Sequence, residues 1–102
     1  MTNTIAAIFA YLLLSFAAAA QETVWIQIEA QPTLTAATDR AQAYDRNLDD
    51  VSGYSLGGGW YGIVLGPYAR NDANRLMRQL KATRAIPRDS FIAFQRSFRD
   101  QY

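Results

Sequence analysis

A glycine-rich stretch, GGGWYG at residues 57–62, is the part of this sequence that most invites comparison with a ligand-binding loop. Glycine loops that hold phosphate follow a strand and open a helix, and many end in a Gly-Lys pair followed by Ser or Thr. This stretch instead precedes an apolar run, and no Gly-Lys pair follows it. The three consecutive glycines therefore predict a hairpin turn with positive φ angles, and not a phosphate cradle.

Side chains that carry out catalysis are scarce in this chain. It has no His and no Cys, so neither a Ser-His-Asp triad nor a Cys-His pair can be built, and no zinc or copper site is expected. Glu22, Glu29, Asp49 and Asp50 lie near strand ends and turns, where nothing indicates the buried pocket of a glycosidase acid. The spacing of Asp45, Asp49 and Asp50 is too irregular for a calcium-binding loop. We therefore expect no enzyme, metal or cofactor, and a small hydrolase is the least favoured function.

The elements that position the remaining polar side chains begin with a strand and a helix. The segment VWIQIEA, residues 24–30, alternates in the manner of a half-buried strand. Pro32 ends this strand, and Thr33 is a suitable N-cap for a helix of about four turns. The apolar stripe of that helix has steps of three and four residues, at Leu34, Ala37, Ala41, Tyr44 and Leu48.

A hairpin is predicted in the middle of the chain. Residues 51–56 form a weak strand pattern, and residues 60–65, WYGIVL, form a stronger one. The glycines at 57–59 separate the two runs, as in a hairpin. Gly66-Pro67 is expected to end the second strand.

The last third of the chain predicts a second helix and a closing strand. Asn71 can cap the helix, with Asp72 favourable at its positive end, and residues 90–94 form the strand. Residues 95–102 are expected to fray. The order β-α-β-β-α-β predicts an α+β fold in which two helices cover one face of a four-stranded antiparallel sheet.

The sheet face opposite the helices is where we expect function. A glycine inside a strand weakens it and often marks a close approach by a ligand or by another backbone, which makes Gly62 notable. Strand alternation places Val64 on the same face as Gly62, and the same rule places Trp25 and Gln27 there.

An exposed indole beside an amide suits a sugar ring. The indole of Trp25 would cover the apolar C–H face of the sugar, and Gln27 would hydrogen-bond hydroxyl or N-acetyl groups. The alternative is that Trp25 is covered by the end of the chain, for example by Phe98 or Tyr102.

The net charge of +1 conceals an asymmetry between the two halves. Residues 21–60 carry six acidic and two basic side chains, a net charge of −4, whereas residues 61–102 carry eight basic and three acidic ones, a net charge of +5. The second helix alone contributes Arg75, Arg78, Lys81 and Arg84. This pattern fits either a solvated helix face or an anion-binding face, and the excess is smaller than nucleic-acid binders usually show.

The first twenty residues predict a secretory signal peptide. They contain no charged side chain, residues 6–16 are apolar apart from Ser15, and four alanines follow up to Ala20. The alternative is an uncleaved anchor, but the apolar stretch of residues 6–20 is shorter than the ~20 residues that a spanning helix needs. Cleavage after Ala20 would leave residues 21–102 as one exported domain in the periplasm, with no membrane attachment and no nucleic-acid partner.

Several of these pieces together resemble the SPOR domain, the sporulation-related repeat of bacterial envelope proteins. The matching pieces are the strand Trp25-Ile26-Gln27-Ile28, the strand that runs into Gly66-Pro67-Tyr68, a helix with Ala73, Leu76 and Leu80, and the strand at Ser90–Phe94. The likeness covers roughly residues 23–95 and is greatest to divergent, SPOR-like segments of alphaproteobacterial envelope proteins.

The resemblance implies a βαββαβ fold and a non-catalytic module that binds the glycan strands of peptidoglycan, preferentially strands stripped of their peptides, often at the division septum. Gln27 matches the family's glutamine on the glycan-binding face. The glycan-binding residues expected from the sequence and the resemblance together are Trp25, Gln27, Ser55, Gly62, Val64 and Arg96. The alternative is an envelope protein-interaction or regulatory module that keeps this fold but has lost glycan binding.

Overall fold

The computed structural model describes residues 22–102, so the expected signal peptide lies outside the described residues. The described part confirms the predicted α+β fold and its element order. The elements are β1 (Thr23–Gln31), α1 (Leu34–Asp45), β2 (Val51–Gly57), β3 (Trp60–Ala69), α2 (Arg70–Ala82) and β4 (Phe91–Ala93), followed by a short 3-10 helix at Gln95–Ser97.

All four strands belong to one antiparallel sheet in the order β2-β3-β1-β4. The two central strands, β1 and β3, supply most of the buried apolar side chains of the described residues. Both helices pack on the same face of the sheet, where Ile26, Ile63 and Leu65 are almost completely buried. Burial of each of these side chains stabilises the fold by roughly 1.5–3 kcal/mol.

The predicted cap of α1 is confirmed. The Thr33 side-chain oxygen accepts a hydrogen bond from the Ala36 backbone N–H at 3.1 Å, which satisfies one of the unpaired donors at the start of the helix. Within the predicted apolar stripe, Ala37 is completely buried, whereas Leu34 in the first turn is 47% exposed. The helix α1 therefore packs on the sheet at Ala37, whereas its first turn at Leu34 is open to solvent.

Two predicted boundaries around Gly66-Pro67 are wrong. β3 does not end at Leu65 but continues through Gly66 and a cis Gly66-Pro67 peptide bond to Ala69. The strand absorbs these two residues at an irregularity in its pairing with β1, after which Tyr68 resumes the pairing opposite Val24. A proline at such an irregularity costs no ladder hydrogen bond.

The strand then passes directly into α2, and for this reason the predicted cap at Asn71 is also wrong. The helix already begins at Arg70, and the N-cap residue Ala69 makes no side-chain cap hydrogen bond. Asp72 does lie in the first turn, as predicted.

The end of the chain does not fray, contrary to expectation. Residues 95–102, called the closing segment below, connect β4 at one edge of the sheet with β2 at the other edge. The Ser55 N–H donates to the Asp100 carbonyl at 2.8 Å, and the Arg99 N–H donates to the Ser55 carbonyl at 2.8 Å. The Tyr102 N–H donates to the Gly53 carbonyl at 3.0 Å. These bonds occupy the free edge of β2 with the chain's own backbone.

Candidate functional site

The sheet face opposite the two helices, called the helix-free face below, holds four of the residues singled out from the sequence. Gln27 pairs with Val64, and directly paired residues project to the same face. Gly62 pairs with Tyr54, whose ring lies 6.4 Å from that of Trp25, between ring centroids. Trp25, Gln27, Gly62 and Val64 therefore share this face, as strand alternation predicts.

The expectation that this face is exposed around Trp25 is wrong. The side chain of Trp25 is 8% exposed, and Val64 is fully buried. The ring of Phe98 stands edge-on to the indole, with centroids 5.2 Å apart and an angle of 84° between the planes. Phe98 also stacks on Tyr54 at 4.8 Å and 10°. The alternative arrangement, in which the end of the chain covers Trp25, is the one that occurs.

Covering Trp25 leaves one polar atom without a partner. Its indole Nε1–H is buried and has no hydrogen-bond acceptor among residues 22–102. Most buried side-chain donors in native proteins are paired, and an unpaired one costs about 1–3 kcal/mol. The indole is therefore packed well by aromatic rings but is poorly satisfied as a hydrogen-bond donor.

The space above Gly62 is taken by a neighbouring side chain and is not open to a ligand. A Cβ built on Gly62 would lie 3.0 Å from the Leu56 side chain, so Leu56 of β2 occupies the space that a side chain would take. The close approach of a ligand that the sequence suggested at Gly62 is thus blocked by a side chain of the adjacent strand, and Gly62 itself is buried.

A second glycine, Gly53, makes room for Tyr102. A Cβ on Gly53 would collide with the Tyr102 ring, and Gly53 pairs with Ile63 of the core, which places the ring on the helix side of the sheet. The Tyr102 hydroxyl donates to the Gly62 carbonyl at 2.9 Å. Sequence reasoning missed this role of Gly53, for which a glycine within a strand pattern was the available signal.

The part of the helix-free face that remains accessible lies beyond the closing segment. Gln27 is half-buried and lines a groove of about 280 Å³ at the β1–β4 edge together with Ala30, Phe91 and the acidic residues Glu29 and Asp89. Phe91 pairs directly with Gln27 and is 51% exposed. An amide and an exposed aromatic ring are therefore side by side. The sequence did not reveal Phe91, because the facing of the last strand could not be derived from its short pattern.

Trp60 is a second exposed aromatic residue that the sequence reasoning passed over. It opens β3 beside the hairpin turn and is 50% exposed. The turn itself is as predicted, since Gly57, Gly58 and Gly59 have φ angles of 85°, 63° and 81°. Trp60 precedes Gly62 by two residues, so strand alternation places it toward the helix-free face.

The two remaining residues expected at the site, Ser55 and Arg96, lie in different parts of the structure. Ser55 pairs with Tyr61, which puts it on the helix side of the sheet, and its backbone is engaged by Arg99 and Asp100. Its side chain therefore does not border the helix-free face. Arg96 is exposed on the 3-10 helix, with its guanidinium 4.6 Å from the centroid of the Phe94 ring, so it is carried by the closing segment.

The best-connected acid of the described chain, Glu29, has a structural role. It accepts hydrogen bonds from the Arg40 guanidinium at 2.9 and 3.0 Å, from the Tyr44 hydroxyl at 2.9 Å and from the Gln31 amide at 2.7 Å. The bonds from Arg40 are the main reason why the pKa of Glu29 is lowered, against the opposing effect of burial. A lowered pKa is the opposite of what a catalytic general acid needs, and the cluster instead ties β1 to α1.

Other site types find no support in the described part of the chain. Within residues 22–102, no three His, Cys, Asp or Glu residues are grouped so that they could hold a metal ion. Over the same range, no helix has the length and apolar character required to cross a membrane.

Comparison with known families identifies the fold. A family model described as SPOR domain matches residues 20–93. No curated protein and no solved structure matches this chain. The family match ends at the last residue of β4, Ala93, so the closing segment lies outside the matched residues.

Proposed function

Because this chain belongs to the SPOR domain family, a family of generally non-catalytic peptidoglycan-binding modules, we propose that it binds the glycan strands of peptidoglycan in the cell envelope. The observation that carries the proposal is the helix-free face, where Gln27 lies beside the exposed ring of Phe91 and shares a face with Trp25. We further propose that the protein is exported to the periplasm, where its family's polymer is found, and that it acts there during cell division.

The chemistry of this face suits a neutral polymer of amino sugars. An exposed aromatic ring such as Phe91 can cover the apolar C–H face of a sugar, and the Gln27 amide offers two donors and one acceptor to hydroxyl and N-acetyl groups. Phe91 and Gln27 carry no charge, so binding through them should tolerate salt.

Under this proposal the site has an accessible part and a covered part. Gln27 and Phe91 form the accessible part, whereas Trp25 and Val64 belong to the part beneath the closing segment. Gly62 also belongs to the covered part, beneath the side chain of Leu56. Of the two border residues expected from the sequence, Arg96 stands on the closing segment, and Ser55 contributes through the backbone bonds that hold that segment.

A second candidate function is a protein-interaction module, and one feature specifically favours it. Arg40, Lys81, Arg84 and Arg88 line a groove of about 660 Å³ between α1 and the loop that follows α2. Arg40 is paired with Glu29, but Lys81, Arg84 and Arg88 have no ion-pair partner among the described residues. Such a surface would attract an acidic partner, and its binding would fall steeply with ionic strength.

The test is retention on purified peptidoglycan sacculi. The chain from Gln21 onward, which carries every described element, is incubated with intact sacculi and with sacculi that an amidase has stripped of stem peptides. A Gln27→Ala, Phe91→Ala double variant is compared with Leu34→Ala, a matched control that removes an exposed apolar side chain from α1. Greater retention on stripped sacculi, lost in the double variant and kept in the control, supports glycan binding. Absence of retention on both preparations by a folded protein would eliminate it.

A further inference from the structure

We propose that the closing segment is an intramolecular cover of the glycan-binding face, in which Phe98 occupies the aromatic slot that a sugar ring takes when the segment lifts. The slot is defined by the side chains of Trp25 and Tyr54. The inference rests on the proposed glycan binding and adds its regulation: the covered state and the fully bound state exclude each other.

The geometry of Phe98 is the first observation behind this inference. Its ring lies parallel to that of Tyr54, with centroids 4.8 Å apart, which is how a flat ligand stacks on an aromatic side chain. The same ring closes the slot against the indole of Trp25. Phe98 thus makes the two contacts that a sugar ring in this slot would make.

The unpaired indole N–H is the second observation. Phe98 is a hydrocarbon side chain and offers no oxygen acceptor, and none of residues 22–102 accepts from Trp25 Nε1. Lifting the segment removes the Phe98 ring from the indole, and under this proposal water or an oxygen of the glycan then accepts the hydrogen bond of its N–H. In the covered state this donor is unpaired, at a cost of about 1–3 kcal/mol that offsets part of the stabilisation from the packing of Phe98.

The attachment of the closing segment is the third observation. It is held to β2 by a single β-bridge, between Tyr54 and Gln101, by three backbone hydrogen bonds and by the rings of Phe98 and Tyr102. Most of its residues between Gln95 and Gln101 are exposed. Segments with exposed hydrogen bonds and few buried contacts open at a lower cost than the core. The segment also follows β4 in the chain, so lifting it moves none of the four strands and neither helix.

A cover of this kind lowers the apparent affinity by the fraction of molecules that are uncovered. If the uncovered state is a minor one of about 1–10%, complete removal of the cover raises the affinity by roughly 10- to 100-fold. Weakening the cover should therefore strengthen binding, which is the opposite of what loss of an ordinary contact residue does.

The experiment combines glycan affinity with a probe of the cover that requires no glycan. Trp60→Phe leaves Trp25 as the only tryptophan, so acrylamide quenching of fluorescence then reports the exposure of Trp25 alone. In this background, Phe98→Ala removes the occupant of the slot, Tyr102→Ala removes the anchor at Gly53, and Leu34→Ala is the control. Affinity for amidase-stripped sacculi is measured for each protein.

We expect Phe98→Ala to increase quenching of Trp25 and to raise the affinity by about tenfold or more. Tyr102→Ala should also increase quenching and affinity. If Phe98→Ala does not fold, Tyr102→Ala serves as the test in its place. If the parent binds glycan and neither variant binds more tightly, the cover is refuted while the proposed function stands. The same conclusion follows if Trp25 stays shielded in both variants. If Trp25 becomes exposed and no protein binds glycan, the proposed function fails, and the regulation fails with it.

Discussion

The rings of Phe98 and Tyr54 lie parallel, 4.8 Å between centroids, and together they enclose the indole of Trp25. One residue is on the closing segment and the other on an edge strand. Their contact and the neighbouring β-bridge between Tyr54 and Gln101 join the end of the chain to β2. This attachment decides which part of the helix-free face a ligand can reach.

Loss of Phe91 should weaken glycan binding without harming the fold. Its ring is 51% exposed and β4 contributes only three residues, so Phe91→Ala removes contact surface and little core. Loss of one stacking contact predicts roughly a five- to tenfold weaker affinity for stripped sacculi. Thermal unfolding should shift by less than about 2 °C. An unchanged affinity in the folded variant would place the site elsewhere on the molecule.

Glycan binding should be almost independent of salt. Gln27 and Phe91 are neutral, so no ion pair is screened when ionic strength rises. We expect retention on stripped sacculi to change by less than about twofold between roughly 50 and 500 mM NaCl. If retention instead falls steeply with salt, and Arg84→Ala and Arg88→Ala also lower it, the result would favour binding through the basic groove and an acidic protein partner.

Gly53→Ala should displace Tyr102. The added Cβ collides with the tyrosine ring, and since that ring ends a flexible side chain, it should swing away at a cost of about 1–3 kcal/mol of stability. Urea unfolding measures the loss, and faster amide exchange at Ser55 reports release of the segment from β2. Ser52→Ala on the same strand is the control. Unchanged exchange at Ser55 would show that Tyr102 does not anchor the segment.

Arg40→Ala should make the free energy of unfolding depend less on pH in the acid range. The pKa of Glu29 is lowered in the folded state, chiefly by hydrogen bonds from Arg40. A lowered folded-state pKa adds stability that is fully present above the unfolded value of 4.5 and is lost as pH falls through the folded value. At pH 7 the half-exposed pair is worth about 0.5–1 kcal/mol.

Urea unfolding of the parent, Arg40→Ala and the control Arg78→Ala at several values between about pH 7 and pH 3 tests this expectation. The difference between parent and Arg40→Ala should shrink toward the acid end. A difference that stays constant over the whole range would mean that Arg40 acts through packing and not through the charge of Glu29.

The amino-acid sequence alone determined the order and type of the elements in this protein. Alternation in residues 24–30 and 60–65, the Thr33 cap and the glycines at 57–59 are local signals, and each corresponds to a backbone preference within a few residues. The same alternation also assigned Trp25 and Gln27 to one face. Because the chain has no His and no Cys, its composition by itself excludes a Ser-His-Asp triad and a Cys-His pair.

Only the tertiary structure decided which of these residues a ligand can reach. Trp25 is buried by Phe98, and Gly53 receives Tyr102, in both cases through contacts between segments that are far apart in the chain. Such contacts depend on where the closing segment crosses the sheet, which no local periodicity specifies. The pattern could show which side of the sheet Trp25 faces, but it could not show that the chain returns to cover it.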